Sequence, residues 1–189
     1  MSSLISIIER DLTETKEELL KNAFSGHVLL ENQFCDADNL PLATLLFATA
    51  SCGSYRSEEL KPVAVGLELL RLAVEKHYHE SPRNSTERNI FLITADYYYA
   101  KAIRIAAELK KSYVVKIMVR AIADIARLEA CGPQKGLAAS ENKKYASLFD
   151  AAVTIGARLG NCSADMEAVK EHAALILKEL SQPLQNHLQ

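Results

Sequence analysis

The sequence predicts an all-α protein, a single-domain helical bundle over residues 1–189. Apolar residues recur every three or four positions along most of the chain, and no segment shows the clear alternation of a strand. Glycine (7) and proline (5) are scarce among the 189 residues, so turns are few and the elements long. Apolar residues make up 49% of the chain and charged residues 24%, which leaves ample material for a core.

Composition also narrows the function classes. The formal net charge is −2 and no basic stripe is visible, which argues against nucleic-acid binding. Charged residues at 9–11 interrupt the N-terminal apolar run too early for a signal peptide, and no run of about 18 apolar residues could span a membrane. The cysteines are Cys35, Cys52, Cys131 and Cys162. They form no CxxC pair, which predicts reduced, structural thiols in a cytoplasmic protein.

The first predicted helix has one apolar stripe and a charged back. Its stripe consists of Leu4, Ile7, Ile8, Asp11, Leu12, Lys16 and Leu19. A polar bend, CDADNLP, follows. Pro41 suits the first turn of a second helix, LATLLFATA, and Gly53 is expected to end it.

Ser57 is the predicted N-cap of the third helix, and Pro82 is expected to stop it. The apolar stripe of this helix consists of Leu60, Val63, Ala64, Leu67, Leu70, Val74 and His77. Asn84 and Glu87 have the spacing of a capping box for the fourth helix, NIFLITADYYYAKAIRIAAEL. Because that segment is apolar nearly all round, we expect it at the centre of the bundle.

Three further helices complete the prediction. The fifth, YVVKIMVRAIADIARLEA, ends at CGPQKG, the sixth is ENKKYASLFDAAVTIGARLG, and the seventh runs from near Ser163 to about Leu180. The helices near 113–130 and 141–160 carry more apolar surface than one bundle face needs. We therefore expect a partner chain to pack there, although both helices could instead be central.

The third helix ends in a polar cluster, HYHESP. His77 and His79 are two positions apart and point about 200° away from each other on a helix. Glu75 with His79, or His77 with Glu80, would supply only two metal ligands, whereas zinc takes three or four. No glycine-rich elbow or phosphate loop accompanies a nucleophile either. These residues alone predict a polar helix end without a metal site or catalytic residues.

Three segments together carry a resemblance to one family. In chain order they are LPLATLLFATASCGSYRSEELKPVAVGLELLRLA, ITADYYYAKAIRIAAEL and ENKKYASLFDAAVTIGARLG. Their pattern and spacing resemble the GKRLRP-to-HDDxxD, LxGDxLxxxA and KTAxLFxAxxxLGA segments of the trans-polyprenyl diphosphate synthases. The resemblance covers most of residues 1–180, is strongest over 62–160, and implies a truncated isoprenoid-synthase-like fold.

The departures from that family concern its catalytic residues. The family's Asp motifs hold magnesium ions that neutralise the departing diphosphate. On this resemblance, Tyr78 and His79 occupy the first two aspartate positions and Pro82 the third, while His77 is retained. Tyrosine and histidine cannot replace anionic ligands of Mg²⁺. The resemblance therefore implies no catalytic residue and no metal in this chain.

The family's basic diphosphate site is also altered. Ala37, Asp38 and Leu40 stand where the GKRLRP motif has its lysine and arginines. Asp96 matches the aspartate of LxGDxLxxxA, and Lys144 matches the lysine of KT, so these two are residual diphosphate-site residues. No counterpart of the second motif, FQxxDDxxD, follows the sixth helix.

The apolar scaffold that resembles the family is intact. Ala73 and Val74 stand just before the first Asp-motif position, where bulk in the family stops the growing prenyl chain. Small residues there imply an open tunnel, so these two form a possible chain-length wall. Ordinary helix packing explains them equally well.

The family includes two-component synthases in which a short subunit without Asp motifs pairs with a full catalytic subunit. This chain resembles that short subunit. The resemblance implies a non-catalytic partner that needs no cofactor of its own, stabilises the catalytic subunit, which binds Mg²⁺, and helps to set prenyl chain length. One alternative is a degenerate homodimer that binds an apolar ligand or serves as an interaction module. Another is an enzyme with new chemistry at His77, His79 and Glu80.

Overall fold

The computed structural model describes residues 2–24, 39–79, 82–130, 137–162, 165, 167–169, 171–172 and 175. Its helices are α1 (Ser2–Ala23), α2 (Pro41–Ala50), α3 (Ser57–Val74), a π-helical segment (Glu75–His79), α4 (Ser85–Glu108), α5 (Ser112–Ala130) and α6 (Leu137–Leu159). Residues 167–169 and 171–172 are also helical. These described residues contain no strand, so the predicted all-α class is confirmed.

Helix α3 lies at the centre of the molecule. Every residue from Val63 to Val74 is buried, and α3 packs against each of the other five α-helices. Gly66 faces α4 and α5, where a Cβ atom would lie 3.4 Å from the carbonyl oxygen of Ala102 and 3.2 Å from Met118 Cε. The sequence pattern of α3 indicated only one apolar stripe, so the burial of every residue over 63–74 was not predicted.

The prediction that the fourth helix is central was wrong. Helix α4 lies at the periphery, where Leu92 and Ile93 are exposed to 37% and 59%. Its buried face is narrow and consists of Phe91, Thr94, Ala95, Tyr98, Ala102 and Ala106. The segment also contains Asp96 and Arg104, both exposed, which require a solvent-facing side.

Helix α1 packs through one face, as predicted, but the face includes a fully buried carboxylate. Asp11 accepts hydrogen bonds from the hydroxyls of Tyr55 (3.0 Å) and Ser57, and from Arg10 at 3.2 Å. The Ser57 hydroxyl is thereby used for Asp11. The N-cap residue of α3 is Arg56, which makes no side-chain capping bond, so the predicted Ser57 cap was wrong.

Two other helix-start predictions are confirmed. Pro41 is the first residue of α2. The Asn84 side chain caps α4 by accepting a hydrogen bond from the Glu87 amide at 2.9 Å. The Glu87 carboxylate bonds to the Arg83 amide at 2.5 Å rather than to that of Asn84. Helix α6 begins a few residues before the predicted ENKK segment, and much of the predicted seventh helix lies outside the described residues.

Helices α2 and α6 are in backbone contact near their C-terminal ends. A Cβ atom at Gly156 would lie 2.8 Å from the carbonyl oxygen of Leu46, and one at Gly160 would lie 2.6 Å from that of Ala50. Only glycine allows this approach. The Ser54 amide then donates to the Gly160 carbonyl oxygen at 2.6 Å, which links the two helix ends.

Candidate functional site

The polar cluster at the end of α3 lies on the π-helical segment Glu75–His79. Such wide turns are rare and often occur at functional sites. Lys76 is buried, whereas His77 and Tyr78 are half-buried. The side chains of His79, Glu80 and Lys144 lie outside the description, so the predictions for them remain predictions.

Three predicted site residues come together here. His77 Nε2 lies 3.6 Å from Asp96 Oδ1, although the Asp96 side chain is 75% exposed. The His77 ring also contacts Tyr78, at 5.0 Å between centroids, and Tyr99, at 6.0 Å. The residues that the resemblance assigns to the first Asp-motif position and to the LxGDxLxxxA aspartate thus lie near each other. A long ion pair with one exposed partner is weak.

The tyrosines of this cluster are held in their neutral form. Burial raises the pKa of Tyr78, and the nearby Glu129 carboxylate adds to the rise. Burial also raises the pKa of Tyr99 well above its usual range, with further contributions from Tyr78 and Asp96. Both phenols therefore act as neutral hydrogen-bonding groups at ordinary pH.

These residues do not fit a magnesium site. Mg²⁺ prefers charged oxygen ligands in an octahedron, whereas the described part of this cluster offers mainly an imidazole and neutral phenols beside the exposed carboxylate of Asp96. Among the described residues, no three His, Cys, Asp or Glu side chains gather where they could hold a metal ion.

A depression of about 290 Å³ opens between the π-helical segment and the start of α4. It is lined by Lys76, His77, Pro82, Arg88, Phe91 and Leu92. Lys76 Nζ lies 4.9 Å from the centroid of the Phe91 ring, a cation–π contact. Two of the lining side chains, Lys76 and Arg88, are cationic. Pro82, which the resemblance assigns to the third aspartate position, adds the apolar surface of its ring.

A buried carboxylate on α3, before the π-helical segment, was not predicted from the sequence. Glu68 on α3 accepts hydrogen bonds from the amides of Leu42 (2.8 Å) and Ala43 (2.9 Å) at the start of α2. Leu40, the N-cap residue of α2, provides no side-chain cap. Glu68 therefore caps α2 from a distant part of the chain, where a negative charge also complements the helix dipole.

Arg71 completes this arrangement. Its Nε atom lies 2.6 Å from Glu68 Oε2 and its Nη1 atom 2.6 Å from Glu75 Oε1, while Nη2 donates to the Asn39 carbonyl oxygen at 3.4 Å. Burial raises the pKa of Glu68, and the Arg71 guanidinium and the two amides reduce this rise without cancelling it. Burial lowers the pKa of Arg71, but the carboxylates of Glu68 and Glu75 outweigh this and raise it. Charged residues inside the apolar segment VGLELLRLAVE were the available signal.

The remaining predicted site residues lie away from the polar cluster or outside the described residues. Ala73 and Val74 are fully buried. They line neither the depression beside the π-helical segment nor a second depression between α5 and α6, so their role as a chain-length wall remains a prediction. Leu40 is buried, whereas Ala37 and Asp38 lie outside the described residues.

A second depression, of about 270 Å³, lies between α5 and α6. It is lined by Ile117, Arg120, Ala121, Asp124, Ser147, Asp150, Ala151 and Thr154. On the same two helices, Val119 is 46% and Phe149 is 39% exposed. This groove falls within the segments predicted to meet a partner.

The fold and cluster thus define an all-α helical protein with a basic depression at the end of its central helix. Comparison with known proteins finds no family model and no curated protein that matches the chain. None of the described helices has the length and apolarity needed to cross a membrane.

Proposed function

We propose that this chain is a non-catalytic accessory subunit of a heteromeric trans-polyprenyl diphosphate synthase. The observation that supports the proposal is the end of α3, where the resemblance places Mg²⁺-binding aspartates. There, His77 contacts Tyr78 and makes a long ion pair with the exposed carboxylate of Asp96. A diphosphate leaving group needs several anionic ligands to hold the metal ions that neutralise it. In this proposal the catalytic subunit supplies those ligands.

The accessory chain docks on the catalytic subunit through helices α5 and α6, within 113–130 and 141–160. The groove between these helices combines apolar residues with charges of both signs, including Arg120, Asp124 and Asp150. Val119 and Phe149 leave apolar side chains partly in water, and each Å² that a partner covers contributes roughly 25 cal/mol. Bound to its partner, the chain stabilises the catalytic subunit and helps to set product length.

The test is reconstitution. The purified chain is assayed for prenyl transfer alone and after mixing with a full-length synthase subunit from the same cell that carries both Asp motifs. We expect no product from the chain alone, and a larger or longer product from the mixture than from the catalytic subunit by itself. Prenyl transfer by the chain alone, free of contaminating synthase, would contradict the proposal.

Surface variants locate the interface. Val119→Asp and Phe149→Asp should weaken complex formation at least tenfold, because each buries a charge in the proposed contact. Ile93→Asp is the matched control, since Ile93 is at least as exposed but lies on α4. Complex formation that is equally weakened by the control, or unaffected by all three variants, would exclude this docking surface.

The alternative is a degenerate homodimer that binds an apolar ligand or acts as an interaction module. The exposed Val119 and Phe149 favour an apolar contact of some kind and suit a second copy as well as a catalytic subunit. Molar mass from light scattering distinguishes the two. A stable dimer that no synthase subunit dissociates, and that changes no synthase product, would favour the alternative.

A further inference from the structure

The contact between the ends of α2 and α6 brings two cysteines together. The Cys52 amide and the Cys162 thiol donate to the same acceptor, the Thr49 carbonyl oxygen, at 3.2 Å and 3.4 Å. The two thiols are also close enough that each affects the pKa of the other. The Cys52 thiol has a further acceptor in the Val169 carbonyl oxygen, at 3.6 Å. Two residues remote in sequence therefore share one small volume.

The backbone fixes this proximity. A Cβ atom at Gly53 would overlap the Gly160 carbonyl oxygen, at 2.1 Å, and one at Gly160 would lie 3.1 Å from Cys162 Sγ. The Ser54 amide bonds to the same Gly160 oxygen at 2.6 Å. The backbone beside Cys52 is thus in direct contact with the backbone that leads into Cys162, and such proximity favours bridging them without a large movement.

We propose that Cys52 and Cys162 form a reversible intramolecular disulfide by exchange with a small disulfide such as oxidised glutathione. Both residues are free thiols of intermediate exposure, so an oxidant can reach them. The site is independent of the function proposed above. It makes the α2–α6 junction a dithiol that responds to the thiol–disulfide balance of its surroundings.

The order of attack follows from the unequal acidity of the two thiols. Burial raises the pKa of Cys52 to about 11, and the neighbouring Cys162 adds to the rise. Burial also raises the pKa of Cys162, but there the proximity of Cys52 opposes the rise. Cys162 therefore attacks one sulfur of oxidised glutathione, whose disulfide bond breaks and releases a glutathione thiolate. Cys52 then loses its proton and attacks Cys162 Sγ, which releases the second glutathione. The protein gives up two protons and two electrons, and the oxidant gains the electrons.

Oxidation also alters the contacts at the junction. The new bond removes the thiol donors that now serve the carbonyl oxygens of Thr49 and Val169. At the same time it closes a loop of more than a hundred residues, which restricts the unfolded chain. We expect a net gain in stability, because the loss concerns weak thiol hydrogen bonds.

The test uses the full chain with Cys35→Ser and Cys131→Ser, so that only the proposed pair remains. It is incubated with excess oxidised glutathione at about pH 8.5, where ordinary thiols ionise. We expect a mass lower by two hydrogen atoms, a linked Cys52–Cys162 peptide in a non-reducing digest, and an unfolding midpoint raised by roughly 10 °C. Dithiothreitol should reverse all three changes.

Single replacements in the same background test the order of attack. Cys52→Ser should stop at a glutathione adduct on Cys162, whereas Cys162→Ser should react at Cys52 at least several-fold more slowly. Stable adducts on both cysteines, a disulfide between two chains, or no reaction in the folded chain while the guanidinium-unfolded chain reacts would each overturn the proposal.

Discussion

Two charge pairs, one buried and one largely exposed, lie in α3 and just beyond its end. Near its middle, Glu68 and Arg71 are buried, and their charged contacts with each other and with the amides of α2 are 2.6–2.9 Å long. Just beyond its end, His77 approaches Asp96 only to 3.6 Å, and Asp96 is largely in water. Helix α3 thus contains a charge pair that secures the fold, and a loose pair between the following π-helical segment and α4 lies beside the first depression.

Because of this difference in burial, the two pairs contribute differently to the stability of the fold. Breaking a buried pair leaves an unpaired charge in a medium of low polarity, which is costly. An exposed pair contributes little, because water and salt screen it and its side chains remain mobile. The first pair therefore determines stability, and the second leaves its surroundings available for recognition.

The largest effect is expected from Glu68→Leu. The variant removes the acceptor for the Leu42 and Ala43 amides and leaves Arg71 without its closest carboxylate, so it should lower the free energy of unfolding by about 3–5 kcal/mol. Urea titration measures the change. Glu17→Leu is the control, since Glu17 is exposed on α1, and it should shift stability by less than about 0.5 kcal/mol. Similar losses in both variants would contradict the role of Glu68.

Arg71→Met should be the next largest, at about 3 kcal/mol, because it leaves the Glu68 carboxylate buried without its cation. The double variant Glu68→Leu with Arg71→Met should lose less than the sum of the two single losses, since no unpaired charge remains. A double-mutant cycle by urea titration measures the coupling. Strictly additive losses would show that the two residues act independently.

Sequence patterns predicted the local features of this fold better than the long-range ones. Pro41 and the Asn84–Glu87 cap were predictable because every participating atom lies within a few residues. The Glu68 cap of α2 joins residues on two different helices, and no local spacing encodes such a contact. Apolar content likewise favoured α4 as the central helix, but the pairing of Glu68 with Arg71 allows α3 to be buried on every side over 63–74.

For the candidate site, the sequence indicated several residues of the cluster but not how they are arranged. The resemblance assigned His77 and Tyr78 to the first Asp-motif position and Asp96 to the residual diphosphate-site residues, and in the structure His77 lies close to both Tyr78 and Asp96. The basic lining contributed by Arg88 from α4 was not predicted, because it depends on how the chain turns back beyond Pro82.

A smaller effect on stability is expected at alkaline pH from Tyr99, which lies on α4 and contacts His77 beyond the end of α3. Burial raises the pKa of Tyr99 in the folded chain above its unfolded value of about 10, so its contribution to stability is complete below pH 10 and is lost as pH rises further. In that range, Tyr99→Phe should lose stability less steeply than the parent chain, by up to about 1.4 kcal/mol per pH unit. Urea titrations at several alkaline pH values test this. Identical slopes in the two proteins would show that Tyr99 ionises freely when folded.

The smallest effect is expected from Asp96→Asn. The His77–Asp96 pair is long and its carboxylate mostly exposed, so its removal should change the free energy of unfolding by less than about 0.5 kcal/mol. Urea titration at low and high salt provides the measurement, and the small difference should shrink further with salt. A loss as large as that of Arg71→Met would mean that the end of α3 is held as firmly as its middle. In that case the exposed pair would be needed for stability as well, and the contrast between the two charge pairs would not hold.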